Sequence, residues 1–444
     1  MISLKTHMLI LGLGRSGLAA ARLLLQEGRN VTVVDQGCPA EADGLRAIGA
    51  EVVTGCETLP EGMFDLVVVS PGVAIDSLWM KQVRERNLAY VSELELGWSR
   101  CSGKTLAITG SLGKSTVATW CSQALQGAGF SVALAGNIGL PVSEQAAIDP
   151  DVDFLVLEVS SFQCETLDAF RPDVGLFLNL FPNHLDRHLS MDSYLRAKLR
   201  MFGRMEKGDC AIIQSGWRHA FEKYGCGAGS LVEFGVNYSL PWCYENGEVI
   251  RDHRNFVSLK GTHFENKVLG VNATGAVAAL EALGLTPDII EQSARSFHSL
   301  AHRMEFVTTI GDVDFINDSK STSLTSMIAA VNMVEGPVHL IAGGKVKETD
   351  LAVVAEQLAG QKVSLYLIGE SAATMEVAWA DKLDCINSGS LQKAVEQSWS
   401  NANAGETILL SPGCASFDQF ENFEDRGRQF GQIVQGLRPE NIKN

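Results

Sequence analysis

Residues 107–120 read AITGSLGKSTVATW. The apolar run closing at Thr109-Gly110 predicts a strand, and Gly113-Lys114-Ser115-Thr116 opens a segment that can coil into a helix. This is a shortened form of the phosphate loop G-x-x-x-x-G-K-[ST]. The first glycine of that spacing would fall on Ile108, so Gly110-x-x-Gly113-Lys114-Ser115 remains. The chemistry survives the shortening. Successive backbone N–H groups form an anion nest, Lys114 reaches the β- and γ-phosphates, and the Ser115 hydroxyl can ligate Mg²⁺. A glycine turn with a solvated lysine is the weaker alternative, because the strand before and the helix after are the right context. That context predicts a parallel α/β layer around the loop.

The same grammar extends outward from this stretch. Upstream, "HMLILGLG" (7–14), "NVTVVDQ" (30–36) and "FDLVVVSPGV" (64–73) read as strands, and "SGLAAARLLLQEG" (16–28) as a helix stopped at Gly28. Downstream, "FLVLEVS" (154–160) and "VGLFLNL" (174–180) are strands, and "ENGE" (245–248) marks a hairpin within a turn-rich stretch of short antiparallel strands. "NATGAVAALEALGL" (272–285) is helical. The pattern restarts with "VDFIND" (313–318), "PVHLIAGG" (337–344), "VSLYLIG" (363–369) and "TILLSPG" (407–413). The expected fold is α/β in three domains. Residues 1–97 are Rossmann-like, 98–300 form a central phosphate-loop domain with a mainly parallel sheet, and 301–444 are again Rossmann-like. The outer two echo each other, since Ser70-Pro71-Gly72 and Ser411-Pro412-Gly413 each follow a strand.

Composition narrows the partners. The 444 residues carry a net charge of −16, which disfavours nucleic acid and anionic membranes. Ten cysteines without a C-x-x-C pair fit reduced thiols rather than zinc or disulfides. No apolar run reaches the ~18 residues of a spanning helix. A cytoplasmic monomer is expected.

Several other stretches hold candidate chemistry. Gly12-x-Gly14-x-x-Gly17 with Asp35 after the next strand is a dinucleotide fingerprint, equally satisfied by tight strand–helix packing or by a UDP-sugar. Glu158 ends a strand beside the phosphate loop, where a carboxylate suits Mg²⁺ as well as it suits water. His184 follows the next strand. Lys198, in "SYLRAKLRMF", reads from its residues alone as a solvent-facing lysine. Arg303, Asp318 and Lys320 cluster at the start of the last segment. Lys345 and Lys347, after two glycines, suit a carboxylate pocket, although from the residues alone an exposed loop is the commoner case, and Ser416 and Phe423 lie on a loop entering a helix.

Taken in order, G-x-x-GKST, "LEVSSFQ", "NHLDRH", "HRMEF", "NDSKSTS" and "LLSPGCASFDQFENFEDRG" resemble the Mur ligases over essentially the whole chain. Asp418-Gln419-Phe420 is the most specific mark of the glutamate-adding members. The resemblance implies an ATP-dependent, ADP-forming peptide ligase of peptidoglycan-precursor synthesis. Glutamate, D-Glu expected, would be added to UDP-N-acetylmuramoyl-L-alanine through an acyl phosphate. ATP would be held by Gly110, Gly113, Lys114, Ser115, Thr116, Asn272, Arg303 and Asp318. Two Mg²⁺ ions would be held by Ser115, Glu158, His184 and Lys198, the last as a carbamate. Lys114, His184 and Lys198 would be catalytic. Gly14, Asp35, Ser70, Asn137, Ser160 and Gln163 would meet the UDP-linked substrate, and Thr322, Lys347, Ser416 and Phe423 the glutamate.

The chain departs from the family pattern at four places. Leu112 replaces an asparagine in the phosphate loop, and Asn183 an aspartate. Val271 and Gly275 stand in an H-N-x-x-N motif, where an adenine contact is expected to be lost. Lys345-Val346-Lys347-Glu348 replaces a glycine-rich loop. The alternatives are a ligase for L-glutamate or another acceptor, a folylpolyglutamate-type enzyme, and a degenerate nucleotide-binding subunit. A nicotinamide dehydrogenase leaves the central loop unexplained.

Overall fold

The computed structural model describes residues 6–225, 227–265, 267–297, 301–334, 336–346 and 351–437. The chain packs into two compact units, Met1–Phe297 and His298–Asn444.

The first unit holds two sheets. One is all-parallel in the order β3-β2-β1-β4-β5, with β1 (His7–Leu11), β2 (Asn30–Asp35), β3 (Glu51–Thr54), β4 (Leu66–Val69) and β5 (Tyr90–Ser92). Side chains alternate across its strands, so Met8, Ile10 and Val68 enter one core while Leu9, Leu11, Val67 and Val69 enter the other. Burial on both faces is what the unbroken apolar runs require.

The second sheet contains β6 (Lys104–Thr109), β7 (Val132–Gly136), β8 (Phe154–Glu158), β9 (Val174–Phe177), β10 (Cys210–Gln214), β11 (Ser230–Gly235), β12 (Trp242–Glu245), β13 (Glu248–Arg251) and β14 (Arg254–Ser258). Their order is β14-β13-β12-β11-β10-β9-β6-β8-β7. From β7 to β12 neighbours are parallel; β12 to β14 are antiparallel. Asn246 and Gly247, at φ 49° and 80°, make the expected hairpin turn between β12 and β13. From β6 the chain runs to β7 and β8 on one side and then to β9 on the other. The carboxyl end of β6 is therefore a topological switch point, where ligands bind in such sheets.

Helix Glu93–Trp98 joins these two sheets. Glu93 accepts from Ser143 N (2.8 Å), and Glu95 accepts from Asp168 N (2.7 Å) and Ala169 N (2.8 Å). Both carboxylates are buried, and burial raises the pKa of Glu93. A Cβ on Gly97 would collide with the backbone of Val142 and Ser143. Position 97 thus lies inside packed structure.

The second unit holds β15 (Glu305–Ile310), β16 (Val313–Asn317), β17 (Val338–Gly343), β18 (Val363–Ile368), β19 (Asp384–Gly389) and β20 (Thr407–Leu410), ordered β15-β16-β20-β17-β18-β19. Only β15 pairs antiparallel. Leu340, Leu365 and Leu409 face one core; Ile341, Tyr366 and Leu410 face the other. β20 returns between β16 and β17, which puts a second switch point at the carboxyl ends of β17 and β20.

Candidate functional site

The phosphate loop leaves β6 at Gly110 (φ 153°) and turns left-handed at Gly113 (φ 81°) into the helix Lys114–Gly127. Both glycines are needed. A Cβ on Gly113 would collide with the Asn272 side-chain amide, and one on Gly110 would sit 3.1 Å from Leu178 Cβ. Lys114 Nζ donates to Ser111 O at 3.0 Å. Ser115 is buried in the first helical turn and Thr116 half-buried beside it.

Lys198 is not the solvent-facing lysine that its residue context alone suggested. It is 1% exposed, and its Nζ donates to Gly110 O at 2.8 Å, 4.7 Å from the Tyr194 ring centroid. Burial, then the Lys114 cation, pushes its pKa well down, which favours the neutral amine. The reason for the miss is helical phase. Tyr194, Leu195, Ala197 and Lys198 share the inward face of Met191–Leu199.

Glu158 ends β8, 1% exposed. Its Oε1 accepts from Asn137 Nδ2 at 2.6 Å, while its Oε2 is buried with no hydrogen-bond partner among the described residues. Lys114, Glu158 and Lys198 are electrostatic neighbours. His184 is exposed, in a left-handed conformation (φ 54°), with its ring 4.8 Å from Phe162. Among the described residues no group of three or more His, Cys, Asp or Glu side chains could hold a metal alone. An orphaned carboxylate oxygen beside a phosphate loop nevertheless fits Mg²⁺, which is commonly held by one or two carboxylates plus substrate phosphates.

Asn272 is 5% exposed and braces the loop from behind, accepting from Asn179 Nδ2 at 3.2 Å. The two departures near the loop have physical explanations. Both backbone groups of Leu112 bond to the Asn179 side chain, N–H to Oδ1 (2.8 Å) and C=O from Nδ2 (3.0 Å), so this position is anchored whatever its side chain. At Gly275 a Cβ would lie 2.7 Å from the fully buried Phe234 ring, leaving no room for an asparagine.

The residues expected at the UDP-linked substrate divide. Gly14 is exposed at the start of helix Arg15–Gln26. Asp35 braces its own turn, its carboxylate accepting from Leu13 N (2.6 Å) and Gly37 N (2.7 Å). Ser70 is buried and donates to Gly12 O at 3.0 Å. Ser160 and Gln163 cap each other across a short helix. Of this set, only Gly14 and Asn137 are exposed.

In the second unit Asp318 follows β16 and is buried, accepting from Ser411 Oγ (2.9 Å) and Met304 N (3.2 Å). Burial pushes its pKa up to about 7, against the hydrogen bonds and the nearby Arg303 cation. Lys320 Nζ lies 3.6 Å from the centroid of the half-buried Phe423 ring. Ser416 is buried and Thr322 half-buried; Lys347 lies outside the described residues. The Asp418-Gln419-Phe420 stretch ties neighbouring loops together, with Asp418 accepting from Glu370 N (2.9 Å) and Gln419 donating to Gly389 O (2.8 Å).

Sequence reasoning assigned nothing to Arg426. Its guanidinium is fully buried and pins two of these loops, through Ser319 Oγ (3.0 Å), Ser319 O (2.8 Å) and Cys414 O (3.1 Å). Burial lowers its pKa to about 10, still charged at neutral pH. The signal was available, since Phe423, Phe430 and Val434 set an apolar helical face on which position 426 falls.

Three family models match the chain: the Mur ligase MurD-like N-terminal domain over residues 6–92, the Mur ligase middle domain over 108–279, and the Mur ligase glutamate ligase domain over 302–414. Curated relatives named UDP-N-acetylmuramoylalanine–D-glutamate ligase include that of Acidobacterium capsulatum, 36% identical over 96% of this chain and 95% of that protein. Another is from Koribacter versatilis, 33% identical over 98% and 99%. The fold is shared with the MurF ligase of Thermotoga maritima in complex with ADP, with a TM-score of 0.61, 16% identity and coverage of 92% of this chain and 95% of that one. It is also shared with MurF from Acinetobacter baumannii, with a TM-score of 0.62, 15% identity and coverage of 96% and 93%. With a phosphate loop at a switch point and full-length relatives at this identity, the chain belongs to the Mur ligase family of ATP-dependent, ADP-forming ligases.

Proposed function

We propose that this ligase adds D-glutamate to UDP-N-acetylmuramoyl-L-alanine, as the names of its full-length relatives state for them. The observation that carries the reading is the grouping of Lys114, Glu158 and Lys198 around a loop shaped for a triphosphate. The alanyl carboxylate attacks the γ-phosphorus of ATP and ADP leaves. The glutamate amine then attacks the acyl phosphate carbon. Its proton is lost, and the tetrahedral intermediate expels phosphate to leave the amide.

The nucleophile and the triphosphate are both anions, so the barrier falls where cations are placed beforehand. Lys114 supplies one. Ser115 and Glu158 would hold Mg²⁺, which neutralises phosphate charge when bound; His184 and a carbamylated Lys198 would complete a second site. The buried, neutral-leaning amine of Lys198 is the form that reacts with CO₂. Gly110, Gly113, Thr116, Asn272, Arg303 and Asp318 serve ATP. Gly14, Asp35, Ser70, Asn137, Ser160 and Gln163 serve the UDP substrate, several of them by shaping its turns. Thr322, Lys347, Ser416 and Phe423 receive the glutamate. The working form is a cytoplasmic monomer divided at 1–97, 98–300 and 301–444. No described helix is long and apolar enough to cross a membrane.

Phosphate release with UDP-N-acetylmuramoyl-L-alanine and ATP, tested against D-Glu, L-Glu and other amino acids, decides the matter. Release with D-Glu is expected; release only with L-Glu reassigns the enantiomer, and none with any amino acid discards the proposal.

A further inference from the structure

Asn179 follows β9 and is 3% exposed. Its Oδ1 accepts from the N–H groups of Ser111 (3.1 Å) and Leu112 (2.8 Å). Its Nδ2 donates to Leu112 O (3.0 Å) and Asn272 Oδ1 (3.2 Å). A side-chain amide has two lone pairs and two N–H bonds, and all four are engaged here. The main-chain carbonyl of Asn179 also accepts from Ser111 N at 3.1 Å.

Two consequences follow for the loop. The N–H groups of Ser111 and Leu112 are committed inward, so an anion nest falls to the helix start beyond them. The clamp also fixes both peptide planes at Leu112. Its carbonyl, held by Nδ2, cannot turn toward the nest, where its partial negative charge would oppose phosphate. Asn272, bonded to Asn179, lies against Gly113 and closes the brace from the other side.

We propose that Asn179 is the positioning residue that presets the phosphate loop for nucleotide binding, acting with Asn272 and never touching the nucleotide itself. This rests on the reading that the loop binds ATP. It assigns to Asn179 the task that the family asparagine, replaced here by Leu112, left open.

The test uses the full chain with Asn179→Ala, Asn179→Asp and Lys114→Ala. Aspartate keeps the size and both acceptors of Asn179 but cannot donate to Leu112 O or Asn272. For both Asn179 variants the KM for ATP rises about tenfold or more, as for other groups that orient a binding shell. The KM values for the UDP substrate and glutamate stay within about twofold, a split that general destabilisation would not produce. Exchange of the Leu112 amide hydrogen accelerates in Asn179→Ala, while that of Ser111, still bonded to the main-chain carbonyl of residue 179, and those of β6 change less. An ATP KM within about twofold of the parent in Asn179→Asp overturns the proposal, as does an equal rise for all three substrates. If Lys114→Ala also binds ATP like the parent, the reading of the loop fails. If Lys114→Ala is impaired and the Asn179 variants are not, only this inference fails.

Discussion

Two glycine turns in the first unit share one grammar and differ in what lies beneath them. Gly12–Gly17 follows β1 and Gly110–Lys114 follows β6; each enters a helix, and each is tied to a side chain at the end of a neighbouring strand, by one main-chain N–H (Leu13) in the first turn and by two (Ser111 and Leu112) in the second. Beneath the first, that side chain is the Asp35 carboxylate; beneath the second it is the Asn179 amide. A carboxylate adds negative charge and opposes phosphate, whereas an amide supplies the same acceptors without charge. The second turn also carries Lys114 and Lys198. Glycine spacing therefore marks a turn, and the charge under it decides whether the turn is suited to an anion.

The largest expected effect removes the cation from the second turn. Lys114→Ala lowers turnover about 10²–10³-fold, with UDP-substrate affinity measured calorimetrically nearly unchanged. Equal turnover would dissolve the contrast between the turns. Next is a steric break in the first turn. A Cβ on Gly17 would overlap the Gly12 carbonyl, so Gly17→Ala costs about 3 kcal/mol, read as a lowered urea midpoint. Asp35→Asn sharpens the electrostatic half of the comparison. One oxygen becomes an NH₂ group, either Leu13 or Gly37 loses its acceptor, and stability falls by about 2 kcal/mol. An unchanged midpoint would show that the brace is idle.

The smallest effect concerns the two Ser-Pro-Gly stretches. Ser70 donates to a backbone carbonyl, while Ser411 donates to Asp318, a group that can titrate. With a pKa raised to about 7 by burial, folded Asp318 holds a proton that the unfolded chain has released. Its contribution is present at low pH and lost as pH rises through the folded value. Between pH 6 and 7 the second unit loses about 1 kcal/mol relative to Asp318→Asn. Parallel pH profiles for parent and variant would refute this.

Much of the architecture was legible because it is local. Short apolar runs closed by turn residues wrote β1, β4 and β6 into the sequence, and Asn246-Gly247 announced its hairpin. The phosphate loop was legible for the same reason. What escaped were side chains whose meaning depends on partners far along the chain. Asn179 closes an apolar run that reads as a strand end, and only folding brings it under Leu112. Lys198 looks like one basic residue among several until the phase of its helix is fixed. Gly275 reads as a lost contact until Phe234 is seen to fill the space. Ser160 and Gln163 matched substrate positions by motif, yet their side chains hold each other.

Helix Glu93–Trp98 bears on any attempt to exchange modules between such enzymes. Its carboxylates accept from backbone amides at Ser143, Asp168 and Ala169, and its Gly97 rests on Val142. A chimera spliced at 97/98 would transplant a front sheet whose acids arrive with foreign counterparts. A graft that is to stay soluble must carry the docking strip at 142–143 and 168–169 with it.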